Sequence, residues 1–387
     1  MLTPGLYVRL SGFYLYYFAA LGVMLPYWGL YLLGLGFDPA RMGELLAIPQ
    51  ATRLFAPTLW GWWADRTGQR LWVIRSACLA AALTFTGVYA VGGSYLGLAL
   101  VTLLFSFFWN AALPQFEAVT LNHLGEDIHY YSRVRLWGSV GFVWAAVGVG
   151  FLVEDAGVGI VPALLLAMFV ALWLISLLIP EAPAVAIVRP SMPLGRVLRQ
   201  PALIAFFAAC FLNQAAHGPY YGFFSLYLET FGYSRELIGL LWGLGVAVEV
   251  GMFVWFPPLL LRLGSRRLML IALAMATLRW LLIGHFARDL PLLLFAQTLH
   301  AFSFGVVHAV SIHLIHQFFP GTLQGRGQAL YSSLSFGAGG AVGSLAAGYL
   351  WQGLGPTAMF DLAAALGALA WLTAWRGLRP RKTFLLL

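Results

Sequence analysis

The sequence predicts an all-α membrane protein of twelve transmembrane helices in two six-helix halves, with both termini cytoplasmic. Three observations carry this. The chain is 61% apolar and only 9% charged, whereas soluble domains carry about 25% charged residues. Its apolar residues fall into twelve runs of spanning length. Its basic residues gather on alternate connections between those runs. A mean hydropathy of +0.84 agrees. Twelve spans of about 20 residues occupy about 240 positions, leaving short loops and no room within the 387 residues for an appended soluble domain.

In chain order the runs lie at 8–34, 39–63, 70–92, 95–123, 132–153 and 158–179, then 202–228, 235–261, 267–287, 291–318, 327–351 and 356–376. Turn residues or charges mark each break. After Arg9 the apolar run continues to Phe37 with no small-residue cleavage signal, so the first segment is expected to remain as a span. The longest polar interruption is Pro180–Pro201, with five prolines and Arg189, Arg196 and Arg199. It reads as a linker, dividing the chain into a half at 1–180, a connection at 181–200 and a half at 201–387.

Orientation follows from the basic residues. Arg9, Arg66, Arg70, Arg75, Arg133, Arg135, Arg189, Arg196, Arg199, Arg262, Arg266, Arg267, Arg326, Arg376, Arg379, Arg381 and Lys382 share the side of the N-terminus, against Arg41, Arg235 and Arg288 opposite. That side is therefore cytoplasmic. The net charge of +8 has the same origin; no long basic run points to nucleic acid. Cys78 and Cys210 both lie in apolar runs, which argues against a disulfide framework or a zinc site.

An internal repeat appears at an offset of 196 residues. Leu30-Tyr31-Leu32 aligns with Leu226-Tyr227-Leu228, Gly36 with Gly232, Gly43 with Gly239, Leu45 with Leu241, and Arg66, Gly68 and Arg70 with Arg262, Gly264 and Arg266. Six helices per half make this a parallel repeat about the membrane normal, an arrangement that puts a binding site near the midplane between the halves.

The loop Gly61-Trp62-Trp63-Ala64-Asp65-Arg66-Thr67-Gly68-Gln69-Arg70 resembles the signature of the major facilitator superfamily between its second and third helices. The resemblance implies that fold and a gating role for Asp65, Arg66 and Arg70, whose contacts at helix ends would form in one state and break in another. Gln69 replaces the usual basic residue, and Leu261 stands opposite Asp65 in the second copy. Further stretches resemble the phenylpropionate permease branch: Tyr131-Ser132-Arg133-Val134-Arg135-Leu136-Trp137-Gly138-Ser139-Val140-Gly141, Ala216 to Phe223, Leu241 to Val246 with Glu249, and Leu278-Arg279-Trp280. The fifth-helix entry is also similar to that of lactose permease.

Charges stranded in hydrocarbon are costly and default to function. Arg53 lies 12 residues before Asp65, about 18 Å along a helix, hence near mid-depth. Glu249 is its repeat mate at similar depth, and Arg279 lies 12 residues after Arg267. A cation in one half and an acid in the other suit an anionic or polar substrate beside a titrating group, or else two separate structural ion pairs. Asn110, Pro114 and Glu117 share a helix face. By resemblance to lactose permease, Glu117 matches its substrate-site acid and Arg135 its substrate-site arginine. With the fifth helix starting at 132, Arg135 lies about one turn inside the membrane edge and reaches Glu117 only if that helix begins earlier; Glu249 competes for it.

The same resemblance puts Arg279 and His300 in a proton-coupling region, but Ser303 stands where that permease has its coupling acid and Gly339 near its lysine. Glu249 is therefore the expected proton carrier, with desolvation and the cation Arg279 acting oppositely on its protonation, and His300 or His308 as relay. His217, Tyr220 and Tyr221 join the seventh-helix candidates, Tyr220 and Tyr221 as rings for stacking on substrate. Helix-helix hydrogen bonding and lipid-facing anchoring are the structural alternatives for these side chains.

No phosphate-cradling loop, metal-ligand cluster or nucleophile with base is present in the sequence, so no enzyme, cofactor or metal is expected; His308, His313 and His316 lack an accompanying acid. The expectation is a monomeric, multi-pass transporter of the cell (inner) membrane, surrounded by lipid, that moves a small organic molecule by proton symport. An aromatic carboxylate is the substrate the branch resemblance implies. A sugar or nucleoside symporter and an exporter are the alternatives; from another class, a transport-inactive sensor or scaffold.

Overall fold

The computed structural model describes residues 2–181 and 194–378. Arg189, Arg379, Arg381 and Lys382, which entered the topology count, and most of the linker lie outside the described residues. The first half comprises α1 (Pro4–Gly34), α2 (Pro39–Thr52), α3 (Ala56–Thr67), α4 (Arg70–Phe85), α5 (Gly87–Val91), α6 (Tyr95–Leu124), α7 (Tyr131–Ala156) and α8 (Val161–Leu177). After the short α9 (Leu194–Leu198), the second comprises α10 (Pro201–Ala216), α11 (Gly218–Glu229), α12 (Arg235–Phe286), α13 (Leu290–Thr298), α14 (Val307–Phe318), α15 (Gln324–Tyr331), α16 (Gly340–Leu354) and α17 (Pro356–Gly377). Among the described residues there is no strand.

Each of the twelve apolar runs coincides with helix. Eight continuous helical stretches are long and apolar enough to cross a membrane. Two of these, Tyr95–Ala156 and Arg235–Phe286, each contain two runs; α12 turns back on itself at Gly264, whose φ of 73° breaks the helical path. The second run is absent from the eight because it is split at Arg53–Phe55, and the eleventh because glycine and serine dilute it.

Local chemistry sets the helix ends. Thr3, Asp38, Ser94, Ser234 and Asp289 cap their helices by accepting a backbone N–H, which satisfies donors that the first turn leaves unpaired. Proline follows in the first turn of α1, α2 and α13, where its missing N–H costs nothing. The repeat is visible in the backbone: Asp38 and Ser234 are both N-caps, Gly36 and Gly232 have φ of 85° and 81°, and Gly68 and Gly264 have φ of 70° and 73°.

The halves meet along α2–α16, α7–α12 and α1–α11. Gly43 and Gly239, mates in the repeat, mark these seams. A Cβ on Gly43 would lie 2.8 Å from the Ser344 carbonyl oxygen of α16, and one on Gly239 would lie 2.5 Å from the Ala146 carbonyl oxygen of α7. Small residues allow such backbone approach where lipid gives no hydrophobic drive for helix association. One apolar core runs through the first half and continues into α11 and α17. A separate core built on α10, α14 and the end of α17 serves the second half at the opposite end. The halves are thus joined at the end bearing Asp38 and Ser234, and each keeps its own packing at the other.

Candidate functional site

The break in the second run builds the first site. Pro49 lies inside α2, and the chain leaves helical geometry after Arg53, resuming at Ala56-Pro57. The Arg53 N–H bonds to the Gln50 carbonyl instead of to Pro49, three residues back rather than four. The Pro49 carbonyl so released is claimed by the Asn110 amide at 2.8 Å and by the Thr52 hydroxyl at 2.9 Å. Asn110 also donates to the Thr52 hydroxyl oxygen at 2.8 Å and accepts from Arg53 Nε at 3.2 Å. One buried amide therefore repairs the broken helix and orients the arginine. Among the described residues no carboxylate lies within 4 Å of the Arg53 guanidinium. It faces a pocket between the halves, walled by Trp28, Trp109 and Tyr221 and reaching Gln50 and Ser344.

A second group gathers where α6 meets α7. The helix α7 begins at Tyr131, one residue before the expected 132, after a tight turn over Gly125–Tyr130. Glu117 lies near the Tyr131 hydroxyl and within the field of the Arg135 charge. The Arg135 guanidinium lies 4.0 Å from the Phe18 ring centre and 5.4 Å from that of Tyr14. Arg135 forms no direct ion pair with either Glu117 or Glu249: its guanidinium is held over rings, and the two acids feel its charge from a distance.

In the second half, Arg279 is fully buried. It donates to the Ser303 hydroxyl at 3.1 Å and to the Gln297 amide oxygen at 2.9 Å, and its guanidinium lies 4.1 Å from the centre of the Tyr220 ring. The serine that replaces an acid in the lactose permease pattern thus ligates this arginine through a hydroxyl. Glu249 pairs with His300, Oε2 to Nε2 at 3.3 Å, and the charge of Arg279 acts on it without direct contact. His308 turns to the Tyr331 hydroxyl at 3.2 Å, and His217 donates Nδ1–H to the Asn213 carbonyl at 2.7 Å, locked as a helix residue. Tyr220 belongs to the arginine cage, whereas Tyr221 lines the pocket of Arg53. Ser303 sits in a π-helical turn, Ala301–Val306, a distortion that often marks function.

At the loop after α3, Asp65 and Arg70 form an ion pair, and Arg70 also donates to the Gln115 amide oxygen of α6 at 2.8 Å. Arg66 instead lies over the Trp62 ring of its own helix. At the opposite end, bonds cross between the halves. Tyr349 of α16 and Tyr95 of α6 both donate to Glu44, each at 2.6 Å. Gln352 accepts from the Ala40 N–H at 3.1 Å. The Glu154 carboxylate accepts from the Arg235 N–H at 2.7 Å while the Arg235 side chain pairs with Glu229 and donates to the Val153 carbonyl. Among the described residues these are the hydrogen bonds between the halves, all at one end. Sequence reasoning assigned Arg235 to topology alone and did not single out Gln297, Gln50, Glu44 or Tyr349. A glutamine or glutamate inside an apolar run was the available signal.

Among the described residues, no group of three metal-ligating side chains forms. Residues 7–362 match the profile of the MFS_1 like family. The chain is 32% identical over 361 residues to a protein of Escherichia coli (strain K12) described as a probable 3-phenylpropionic acid transporter, covering 88% of this chain and 90% of that one. It is 29% identical over 357 residues to a maltose permease of Geobacillus stearothermophilus, covering 88% and 87%. A crystal structure of a mutant of the nucleoside transporter NupG superposes with a TM-score of 0.84 at 18% identity, covering 97% of this chain and 100% of that one. The chain therefore belongs to the MFS_1 like family, and so to the multi-pass membrane transporters of the major facilitator superfamily, which move solutes and are not enzymes.

Proposed function

We propose that the protein is a proton-coupled symporter of a small aromatic carboxylate, working by alternating access between its two halves. The observation that carries this reading is Arg53: a guanidinium held by Asn110, without an acid partner among the described residues, in a slot of aromatic rings at the seam. A fixed cation gives a carboxylate its charge-assisted bonds, and Trp28, Trp109 and Tyr221 offer faces for a ring. The 3-phenylpropionic acid transporter that this chain resembles fits the same chemistry. Glu249 with His300 supports a proton site in the other half, and Asp65 with Arg70 a gating contact. With the cytoplasmic side assigned by the arginine count, the crossing bonds at Glu44 and Arg235 close the outer end, so the conformation is inward-facing.

A sugar or nucleoside symporter is the second reading, favoured by Glu117, Tyr131 and Arg135 lying together and by the maltose permease relative. Proteoliposomes separate the two. Uptake of 3-phenylpropionate with proton influx, abolished by Arg53→Gln, is the expected result. Accumulation of maltose or a nucleoside without response to aromatic acids would establish the second reading instead.

A further inference from the structure

Resting on the aromatic carboxylate reading, we infer that Gln50 and Ser344 form a second polar subsite that reads a hydroxyl group on the ring of the substrate. Gln50 precedes Arg53 by three residues on α2, so the two share a face about 4.5 Å apart along the axis. Both border the same pocket, with Ser344 contributed by α16 of the other half. The glutamine has space because Gly340 faces it: a Cβ there would lie 3.3 Å from Gln50 Cγ and 3.4 Å from its Oε1. Ser344 follows Gly340 by four residues and so lies on the same face of α16.

Other interior glutamines are engaged. Gln115 accepts from Arg70, and Gln297 accepts from Arg279. Among the described residues Gln50 and Ser344 make no side-chain hydrogen bond, and neither is among the sealed, unpartnered polar groups. Both residues border the pocket, which leaves their amide and hydroxyl uncommitted to any protein partner there.

The chemistry of the pair selects its ligand. An amide and a hydroxyl offer both donors and acceptors without charge, which suits a phenolic or alcoholic O–H and not a second carboxylate. The pocket holds about 30 Å³ in this conformation, so the ligand enters as its walls part: Arg53 then takes the acid, the rings of Trp28, Trp109 and Tyr221 the aryl body, and the two neutral groups the hydroxyl. Because Gln50 and Ser344 belong to opposite halves, one substrate hydroxyl bridges the seam, and substrate binding and closure of the halves are tied together.

The test compares 3-phenylpropionate with its ring-hydroxylated analogues by titration calorimetry on the full-length purified protein, alongside Gln50→Met, Ser344→Ala and Arg53→Gln, each checked for unchanged thermal unfolding. A preference of about tenfold for one hydroxylated isomer is expected, from hydrogen bonding that the plain acid leaves unmade. Gln50→Met or Ser344→Ala should bring that ratio near unity by weakening the hydroxylated isomer more than 3-phenylpropionate, and Arg53→Gln should weaken both ligands. Equal binding of all isomers by the wild type, or a ratio unchanged in both Gln50→Met and Ser344→Ala, overturns the subsite while the aromatic acid reading stands. Failure of every aromatic acid to bind overturns that reading and the subsite with it.

Discussion

The Glu249 carboxylate lies 3.3 Å from Nε2 of His300, both side chains buried, while Arg279 spends its hydrogen bonds on Ser303 and Gln297. A buried acid beside an imidazole can pass a proton without stranding a charge, because either member can hold it. The arginine, held through both terminal nitrogens by neutral ligands and against a tyrosine ring while its buried Nε lacks a partner, does not have to exchange partners for this to occur.

From this pair, Glu249→Gln should abolish accumulation of substrate against its gradient while leaving exchange of external for internal substrate within about threefold of wild type. Active uptake and counterflow in proteoliposomes measure the two. Equal loss of both would assign Glu249 to substrate binding or folding rather than to the proton.

Asn110 carries two duties, closing the Pro49 carbonyl and holding Arg53 Nε. Asn110→Ala takes one of its two donors from the Pro49 carbonyl, which keeps the Thr52 hydroxyl, costs about 0.5–1.5 kcal/mol, and frees the guanidinium. A lower unfolding midpoint together with substrate affinity reduced about tenfold is expected, from the loss of a charge-assisted bond geometry. Arg53→Lys keeps the charge but loses the planar fork that a carboxylate accepts, so it should lose affinity with little change in unfolding.

Tyr349 and Tyr95 share the Glu44 carboxylate, one from each half. Opening that end removes Tyr349 and leaves Tyr95 in place, so the carboxylate is never without a donor. Tyr349→Phe should therefore shift the population toward the outward-facing state without destabilising the fold. Distances between spin labels on the ends of α2 and α16 nearest Glu44 should lengthen. Cys78 and Cys210 are buried, which favours selective labelling at introduced cysteines. Tyr95→Phe should leave the distances unchanged.

The Asp65–Arg70 pair is largely exposed, with side chains 50% and 30% accessible, and exposed pairs add little stability. Asp65→Asn should consequently leave thermal unfolding nearly unchanged while slowing transport turnover at least tenfold, as the contact between α3 and α4 is lost. Stopped-flow uptake against a melting curve checks the contrast.

Some features of this protein were determined by local chemistry and were legible in the sequence. Apolar runs, proline and capping residues mark where helices begin, since these depend on neighbours a few positions away. The repeat at Gly36 and Gly232 or at Gly68 and Gly264 is legible because left-handed backbone is a property of the residue itself. The stranded charges Arg53, Glu249 and Arg279 could be located by counting along a helix from the charged loops. What each charge touches was decided by the tertiary structure. Arg279 faces Ser303 and Gln297 rather than Glu249, Arg53 rests on Asn110, and Gln50 meets the pocket beside Ser344, because partnership depends on how each helix is rotated and where it crosses its neighbours. Rotation and crossing arise from packing across the whole bundle, through close approaches such as Gly43 on Ser344, and a single run of residues contains no record of them.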